Sequence, residues 1–325
     1  MAGLQTDSAG PQRYPVSGWI EAGFFVLAIA ALSVSYVVGQ QIGAHPIALI
    51  LYAVLASALA LLAVAGIGPD ALRIALAPQS WLVGFGTIGI EVFYYALLEH
   101  VGPAHGSLLL RLAIPLAVAL GWLMFARRPH RLSVLGAGVV LLGIVPLIVV
   151  IDAEHRSAAA LMAVAAALSS TLRGFAAEFH PWNRNAKTVR EKLRVTGLVV
   201  LVTSLASLAL TGGFALSISA GWLPATELVP TPAQMLHGPT FLLGTVVIGA
   251  LMTAMAALSF SAVVKITTEN FTATHAFTPV ATLLVQIAAT AVGLIGGYAL
   301  DPGLVPAMGV VIVGVLLMLY AARRA

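Results

Sequence analysis

The chain has 325 residues, of which 60% are hydrophobic and 9% are charged, and its formal net charge is +4. About a quarter of the residues in a soluble globular domain are charged, so this composition excludes a soluble protein and indicates an integral membrane protein. Cysteine is absent, which excludes disulfides, thiolate metal sites and cysteine nucleophiles. The basic residues collect on one side of the predicted membrane, so we expect the lipid bilayer and a small-molecule substrate as partners, and no nucleic acid.

The predicted elements are a short polar tail, residues 1–17, and then a series of apolar runs. A run of about 20 apolar residues is long enough to cross a bilayer as a helix. Ten such runs are predicted, with the limits 18–40, 46–66, 81–101, 104–126, 132–151, 157–179, 194–214, 238–264, 271–295 and 305–322. The predicted fold class is therefore all-α integral membrane, with ten transmembrane helices.

The distribution of Lys and Arg predicts the orientation, because these residues stay preferentially on the cytoplasmic side. With both termini inside, the cytoplasmic segments hold nearly all of these residues, whereas the outside loops hold only Arg156. An odd number of helices would break this asymmetry. We therefore predict a multi-pass protein of the inner (plasma) membrane with both termini cytoplasmic.

The two halves of the chain repeat the same arrangement around a proline. Alignment of Pro115 with Pro279 superposes Arg111 on His275. Each half has five helices, and because five is odd the halves must insert with opposite orientations. Inverted repeats of this kind are typical of secondary transporters, whose site lies at the repeat interface near the middle of the membrane.

Arg111 lies within the apolar run of the fourth helix, where a guanidinium is expensive unless it faces a partner or a water-filled cavity. Other polar side chains recur at helical spacing and, with Arg111, form the predicted substrate-binding set: Glu91 and Tyr95 in the third helix, Ser107 in the fourth, Arg173 in the sixth, and His275, Thr278, Thr282 and Gln286 in the ninth. The four residues of the ninth helix are predicted to share one continuous face. Packing and substrate binding both remain open for that face.

The third and fourth helices form a predicted hairpin, so Glu91 and Arg111 are expected to meet. Two interpretations remain open, a structural ion pair and a pair that opens to receive substrate. Arginines favour a carboxylate or phosphate, Glu91 favours a cationic group or a proton, and His275 can titrate near neutral pH. The set predicts an anionic or zwitterionic metabolite, with a proton as the candidate coupling ion.

Some patterns resemble enzyme motifs by spelling alone. Gly84, Gly86 and Gly89 have the spacing of a dinucleotide-binding fingerprint, but they lie within a membrane span, where close helix packing is the prediction. The sequence has no cluster with metal-ligand spacing and no Ser–His–Asp arrangement. We therefore predict no metal, no cofactor and no enzymatic activity.

Four segments carry a resemblance to a known family: Tyr94-Tyr95-Ala96-Leu97 before Pro115, the helix with Gly138 and Gly143, Phe260-Ser261-Ala262 before Pro279, and the helix with Gly309 and Gly314. Through them the chain resembles the EamA-type ten-helix members of the drug/metabolite transporter superfamily. The resemblance implies two inverted five-helix repeats, placed at residues 18–151 and 157–322. It also implies a central cavity lined by helices 1, 3, 4, 6, 8 and 9.

The expected function is therefore secondary transport of a small polar, anionic or zwitterionic, metabolite by alternating access. One alternative is a membrane scaffold or sensor, which predicts no flux and a cavity closed by Glu91 and Arg111. A less favoured alternative is a membrane-embedded enzyme, which requires a nucleophile or metal constellation that the sequence lacks.

Overall fold

The computed structural model describes residues 15–297 and 302–322, and this part of the chain contains helices and no strand. The main helices are α1 (Val16–Gln41), α2 (Pro46–Ala65), α3 (Pro78–Leu98), α4 (Pro103–Phe125), α5 (Arg131–Val150), α6 (Ala153–Phe179), α7 (Val189–Ser219), α8 (Gly249–His275), α9 (Thr278–Ala291) and α10 (Leu304–Ala322). Most of the predicted tail lies outside the described residues, and so do Arg13, Arg323 and Arg324, which are among the basic residues predicted to be cytoplasmic.

Shorter helices lie in the connections between the main ones. They span Ala71–Leu76, Pro181–Asn185 and Pro232–Met235. The short helix Gly238–Leu242 and a π-helical turn at Leu243–Ile248 lead directly into α8. The eighth apolar segment therefore begins at Gly238, before the start of α8 itself.

Nine helices in residues 15–297 and 302–322 are long and apolar enough to cross a membrane, one fewer than the sequence predicted. The exception is α9, which has 14 residues. At about 1.5 Å per residue it extends roughly 21 Å, less than the hydrocarbon thickness of about 30 Å. Its end is set by Gly293, which has a φ of 71° and follows the last turn as a left-handed cap.

The junction between α8 and α9 corrects the predicted ninth helix, 271–295. His275 is the last residue of α8, and a turn at 276–277 separates it from α9. Pro279 lies in the first turn of α9, where its missing N–H costs no helical hydrogen bond. The prediction that His275 shares a helix face with Thr278, Thr282 and Gln286 is therefore wrong.

The helices pack as a bundle in which partners come mostly from opposite halves of the chain. Helix α2 packs against α7 and α8, α5 against α10, and α3 against α6 and α7. Helix α1 packs against α8 and α9, and α4 against α6. The largest buried cluster draws on nearly all of these helices and surrounds Tyr36, Tyr95, Leu108 and Ile144.

Glycines allow the closest of these approaches. A Cβ on Gly136 of α5 would lie 2.6 Å from the Gly314 carbonyl oxygen of α10, so neither position accepts a side chain. Gly143 likewise faces α10, but Gly138 and Gly309 have no neighbour within 4 Å. Two of the four glycines behind the family resemblance therefore do not make this contact.

The glycines that imitate a dinucleotide fingerprint also serve packing, as predicted. Gly84 lies against Thr203 of α7, and Gly86 lies against Arg173 of α6. A Cβ on Gly89 would lie 2.9 Å from the Ser169 Oγ, also of α6. Together they let α3 fit between α6 and α7, and the packing prediction for this motif is confirmed.

Candidate functional site

Five helices each contribute one ionisable side chain to a group whose members interact electrostatically. They are Tyr36 on α1, Glu91 on α3, Arg111 on α4, Arg173 on α6 and His275 at the end of α8. Charged side chains in membrane spans are rare, and they mark functional pathways more often than chance. This cluster is therefore the candidate site.

Glu91 has two partners, and neither is the predicted one. The Tyr36 hydroxyl donates a hydrogen bond of 2.6 Å to the Glu91 Oε2. The Arg173 guanidinium attracts the same carboxylate electrostatically. No ion pair joins Glu91 to Arg111 within the residues that the structure describes. The predicted Glu91–Arg111 pair is not formed among these residues, and the hydrogen-bond partner of Glu91 is Tyr36 of α1.

Close packing brings α6 to the helix that carries Glu91. Because Gly86 has no side chain, α6 approaches α3 closely at this level, and a Cβ on Gly86 would lie 2.8 Å from the Arg173 Cβ. Arg173 is exposed, whereas Glu91 is half-buried.

Arg111 has no such partner. It lies on a 3-10 turn, Leu110–Leu112, that interrupts α4 four residues before Pro115. Its Nε is buried and has no hydrogen-bond partner. The groups that interact with it electrostatically are Tyr94 and His275, neither of which is a carboxylate. Arg111 is thus a cation whose charge is not balanced by the neighbouring described residues.

His275 stands between two aromatic rings. It stacks on Phe25 of α1 at 4.8 Å between ring centroids and meets the edge of Phe271 at 4.7 Å. Its Nε2 is buried without a hydrogen-bond partner, and so is the Oγ1 of Thr278 at the start of α9. Two helix interruptions, in α4 and between α8 and α9, therefore present unpartnered polar atoms.

Four of the predicted site residues have structural hydrogen bonds. Tyr95 donates 2.9 Å to the Ala44 carbonyl, and Ser107 and Thr282 each donate 2.9 Å to a carbonyl of their own helix. The Gln286 Oε1 accepts a 2.9 Å hydrogen bond from the Ala104 N–H at the start of α4. That N–H has no partner within its helix, so Gln286 joins α9 to α4.

Tyr36 and Tyr94 belong to the site but were not predicted to do so. Tyr36 is bound to Glu91, and Tyr94 forms a 2.9 Å hydrogen bond with Ser33 and interacts with Arg111. The sequence favours packing over substrate binding for the polar residues of α1. The available signal was a phenol hydroxyl in the middle of a span, since a buried tyrosine hydroxyl requires a partner.

Two cavities lie away from this cluster. One, of about 360 Å³, is formed by His45 and the loop before α8, where His45 Nε2 lies 3.1 Å from the Glu227 carbonyl oxygen. Burial lowers the pKa of His45. The other, of about 400 Å³, is an apolar groove between α2 and α8. Neither includes a residue of the candidate site.

The helix ends for which the charge distribution predicts a cytoplasmic position carry their own contacts. Arg127 forms two hydrogen bonds with Glu178, of 2.9 and 2.6 Å, which join the end of α4 to the end of α6. This exposed pair raises the pKa of Arg127. Glu178 is therefore the partner of Arg127.

Comparisons with known proteins address the identity of this bundle. The model of the EamA-like transporter family matches residues 19–149, which include α1 to α4 and nearly all of α5. This half of the chain is therefore similar to the EamA-like transporter family, which is part of the drug/metabolite transporter superfamily. No curated protein matches the chain.

One solved structure, described only as "Crystal structure of protein", is similar over nearly the whole length. It covers 95% of this chain and 99% of its own, with 19% sequence identity and a TM-score of 0.57. At that identity the likeness concerns the fold alone. The family match confirms the predicted resemblance over residues 19–149, and the many apolar helices agree with a transmembrane transporter.

Proposed function

We propose that the protein is a secondary transporter that moves a small polar, anionic or zwitterionic, metabolite across the inner membrane by alternating access. The family match over residues 19–149 supports a membrane transporter rather than an enzyme. The observation that carries the proposal is Arg111, a half-buried cation with an unpartnered Nε in the middle of the bundle. A charge left unbalanced in a membrane span is costly, and an anionic substrate would balance it.

Helix packing supports two inverted repeats of five helices. If α1 to α5 correspond to α6 to α10, the contact of α3 with α6 has its counterpart in α8 with α1. The contact of α4 with α6 corresponds to α9 with α1, and α2 with α8 corresponds to α7 with α3. The pairs α2–α7 and α5–α10 join equivalent helices, as expected of elements on a pseudo-two-fold axis.

The direction of the chain supports a tenth crossing. The segment that leads into α8 and the first turns of α8 run alongside α2 in the same direction. A Cβ on Gly244 would lie 2.9 Å from the Leu49 carbonyl oxygen, and Thr253 donates a 3.2 Å hydrogen bond to Ser57. Residue numbers therefore rise together along the two elements.

The end of α8 runs alongside α1 instead. Gly18 lies against Ile266, and Phe25 stacks on His275, so residue numbers again rise together. Helices α1 and α2 are consecutive spans and cross in opposite senses. The chain therefore reverses inside α8, which supports a separate ninth crossing formed by the end of α8 together with α9.

The experiment compares ligand binding by the native protein with binding by Arg111→Gln. Purified protein is screened by thermal shift against carboxylic acids, amino acids and neutral sugars, and the compounds that stabilise it are then tested for uptake into proteoliposomes. We expect acidic compounds to stabilise the native protein, and Arg111→Gln to weaken their binding about hundredfold. Arg128→Gln removes an exposed cation beyond the end of α4 and is the matched control.

Either of two results would overturn the proposal. One is that no compound of these classes is taken up by proteoliposomes containing the native protein. The other is that Arg111→Gln and Arg128→Gln bind every stabilising compound as tightly as the native protein does.

A further inference from the structure

We infer that three hydrogen bonds at one end of the bundle form a latch, which closes the interior at that end while the opposite end is open. The inference rests on the proposed function, because it assigns one step of alternating access to named residues. It follows from which helices contact each other at the two ends of the bundle.

Eight of the main helices fall into two internally packed groups. One group contains α1, α2, α8 and α9, and the other contains α3, α4, α6 and α7. Helices α1 and α2 both pack against α8, and α3 and α4 both pack against α6. Under the proposed inverted repeat each group is the counterpart of the other, so alternating access would rock one group against the other.

The latch joins these two groups at the end where α1 and α3 finish and α4 begins, which is the outer end in the predicted orientation. The Gln40 Nε2 of α1 donates a 3.0 Å hydrogen bond to the Tyr95 carbonyl of α3. The Tyr95 hydroxyl donates 2.9 Å to the Ala44 carbonyl after α1, and the Ala104 N–H of α4 donates 2.9 Å to the Gln286 Oε1 of α9. Tyr95, Ala104 and Gln286 are 5% exposed or less, so water does not compete for these bonds.

The start of α4 is enclosed where the latch forms, and the rest of this helix is not. Six of the seven residues in Pro103–Leu109 are buried, and this segment packs against α9 and α1. Only two of the thirteen residues in Ala113–Phe125 are buried. The change falls at the 3-10 turn Leu110–Leu112, so Arg111 lies directly behind the closed segment.

The opposite end lacks the equivalent contacts. At the latch α1 meets α3 and α4, and α4 meets α9. The inverted repeat would place the counterparts between α6 and α8, between α6 and α9, and between α9 and the end of α4, and the described part of the chain shows no comparable packing there. Arg190 and Arg194 of α7 do bond the last carbonyls of α2 at this end. Helices α2 and α7 are the equivalent pair on the pseudo-two-fold axis, however, so their contact can persist while the two groups rock.

The chain contains no cysteine, so single cysteines can report access to each end. Ser107→Cys lies behind the latch at a position that is 1% exposed, and Arg173→Cys lies at an exposed position in the last turns of α6. Thr226→Cys marks the latch face, because the neighbouring Glu227 carbonyl lies 3.1 Å from His45, directly after the latch. A membrane-impermeant maleimide is added to either face of vesicles that contain the full-length protein. We expect Arg173→Cys to react from the face opposite Thr226→Cys, and Ser107→Cys to react at least about tenfold more slowly than Thr226→Cys from the latch face.

Removal of the latch bonds should expose the cysteine behind them. Gln286→Leu and Tyr95→Phe each remove one hydrogen bond, so each should raise the labelling rate of Ser107→Cys from the latch face about fivefold, and both together about twentyfold. Thr245→Val, in the turn that leads into α8, removes a hydrogen bond to the carbonyl of Phe241 four residues earlier. It is the matched control and should leave the labelling rate unchanged.

Three results would overturn the latch. They are labelling of Ser107→Cys from the latch face as fast as Thr226→Cys, labelling of Arg173→Cys from that face alone, and folded latch variants that react at the control rate. The first two need no latch variant, so the test holds even if Gln286→Leu or Tyr95→Phe does not fold.

Labelling requires no substrate, which separates the latch from the transport proposal beneath it. If the labelling pattern is as expected and no compound is taken up by proteoliposomes, the transport proposal fails while the closed end stands. If compounds are taken up and the labelling contradicts the latch, the transporter stands without it.

Discussion

The polar interior of this bundle has two regions that look alike in the sequence and differ in the structure. Around Glu91, the carboxylate accepts a hydrogen bond from Tyr36 and is attracted by the charge of Arg173. Around Arg111, the Nε, the Nε2 of His275 and the Oγ1 of Thr278 have none. Buried polar groups without partners cost free energy, so a protein retains them where a ligand completes them. Binding of a ligand is therefore expected in the region around Arg111, and not in the region around Glu91.

The backbone differs between the two regions as well. Glu91 lies in an uninterrupted part of α3, whereas Arg111 lies on a 3-10 turn and His275 directly precedes a break between helices. Proline explains both interruptions, since Pro115 lies four residues beyond Arg111, Pro279 lies four residues beyond His275, and neither proline can donate a helical hydrogen bond. In a membrane, such irregular backbone is tolerated where it faces protein or a cavity.

The largest expected effect is an opposite change in stability when each arginine is removed. Arg173→Gln leaves Glu91 without its cation, and we expect a loss of roughly 1–3 kcal/mol, less than the about 3–5 kcal/mol of a fully buried pair because Arg173 is exposed. Arg111→Gln removes a charge that no carboxylate balances, so stability should be unchanged or higher. Melting temperatures of the purified proteins, without ligand, measure both.

A second variant tests the reason for that difference. Glu91→Gln combined with Arg173→Gln removes both charges, so it should recover most of the stability lost by Arg173→Gln alone. Equal losses for Arg111→Gln and Arg173→Gln would contradict the division into partnered and unpartnered regions.

The sequence predicted the helices well and their side-chain partners poorly. Most limits agree within a few residues, because apolar runs and flanking turns depend on local composition. The predicted hairpin of α3 and α4 placed Glu91 near Arg111. The attraction of Glu91 by Arg173 instead depends on how closely α6 approaches α3 at Gly86. That distance is a property of the packed bundle, and helical periodicity carries no information about it.

The ninth helix was mispredicted for a related reason. The spacing of His275, Thr278, Thr282 and Gln286 fits one helix face, and the sequence around them is apolar throughout. Pro279 lies directly after the break at 276–277. A proline at this position is compatible with a kink inside one long helix or with the start of a new helix. Only the packing of α9 against α1 and α4 decides between these two.

The next effect in size separates two polar residues of α9. The Gln286 Oε1 accepts the otherwise unpartnered Ala104 N–H, so Gln286→Leu should destabilise the protein by about 1 kcal/mol and loosen the junction of α4 with α9. Thr282 bonds only to its own helix, so Thr282→Val is the matched control and should be nearly neutral. Amide hydrogen exchange at the start of α4 measures the junction, and equal exchange in both variants would show that Gln286 does not hold it.

The smallest effect comes from a histidine that is fully partnered, in contrast to His275. His180 lies 2.8 Å from Ser80 Oγ through Nε2, and its Nδ1 accepts the Asn183 N–H at 3.3 Å, so the neutral ring fits both contacts. Burial lowers the pKa of His180, so the unfolded chain takes up this proton at a higher pH than the folded protein does. The contribution to stability is therefore complete above the ordinary pKa of about 6.5 and is lost as the pH falls below it. The melting temperature of the native protein should fall more steeply with acidification than that of His180→Gln, and parallel profiles would show that the His180 contacts do not depend on its protonation.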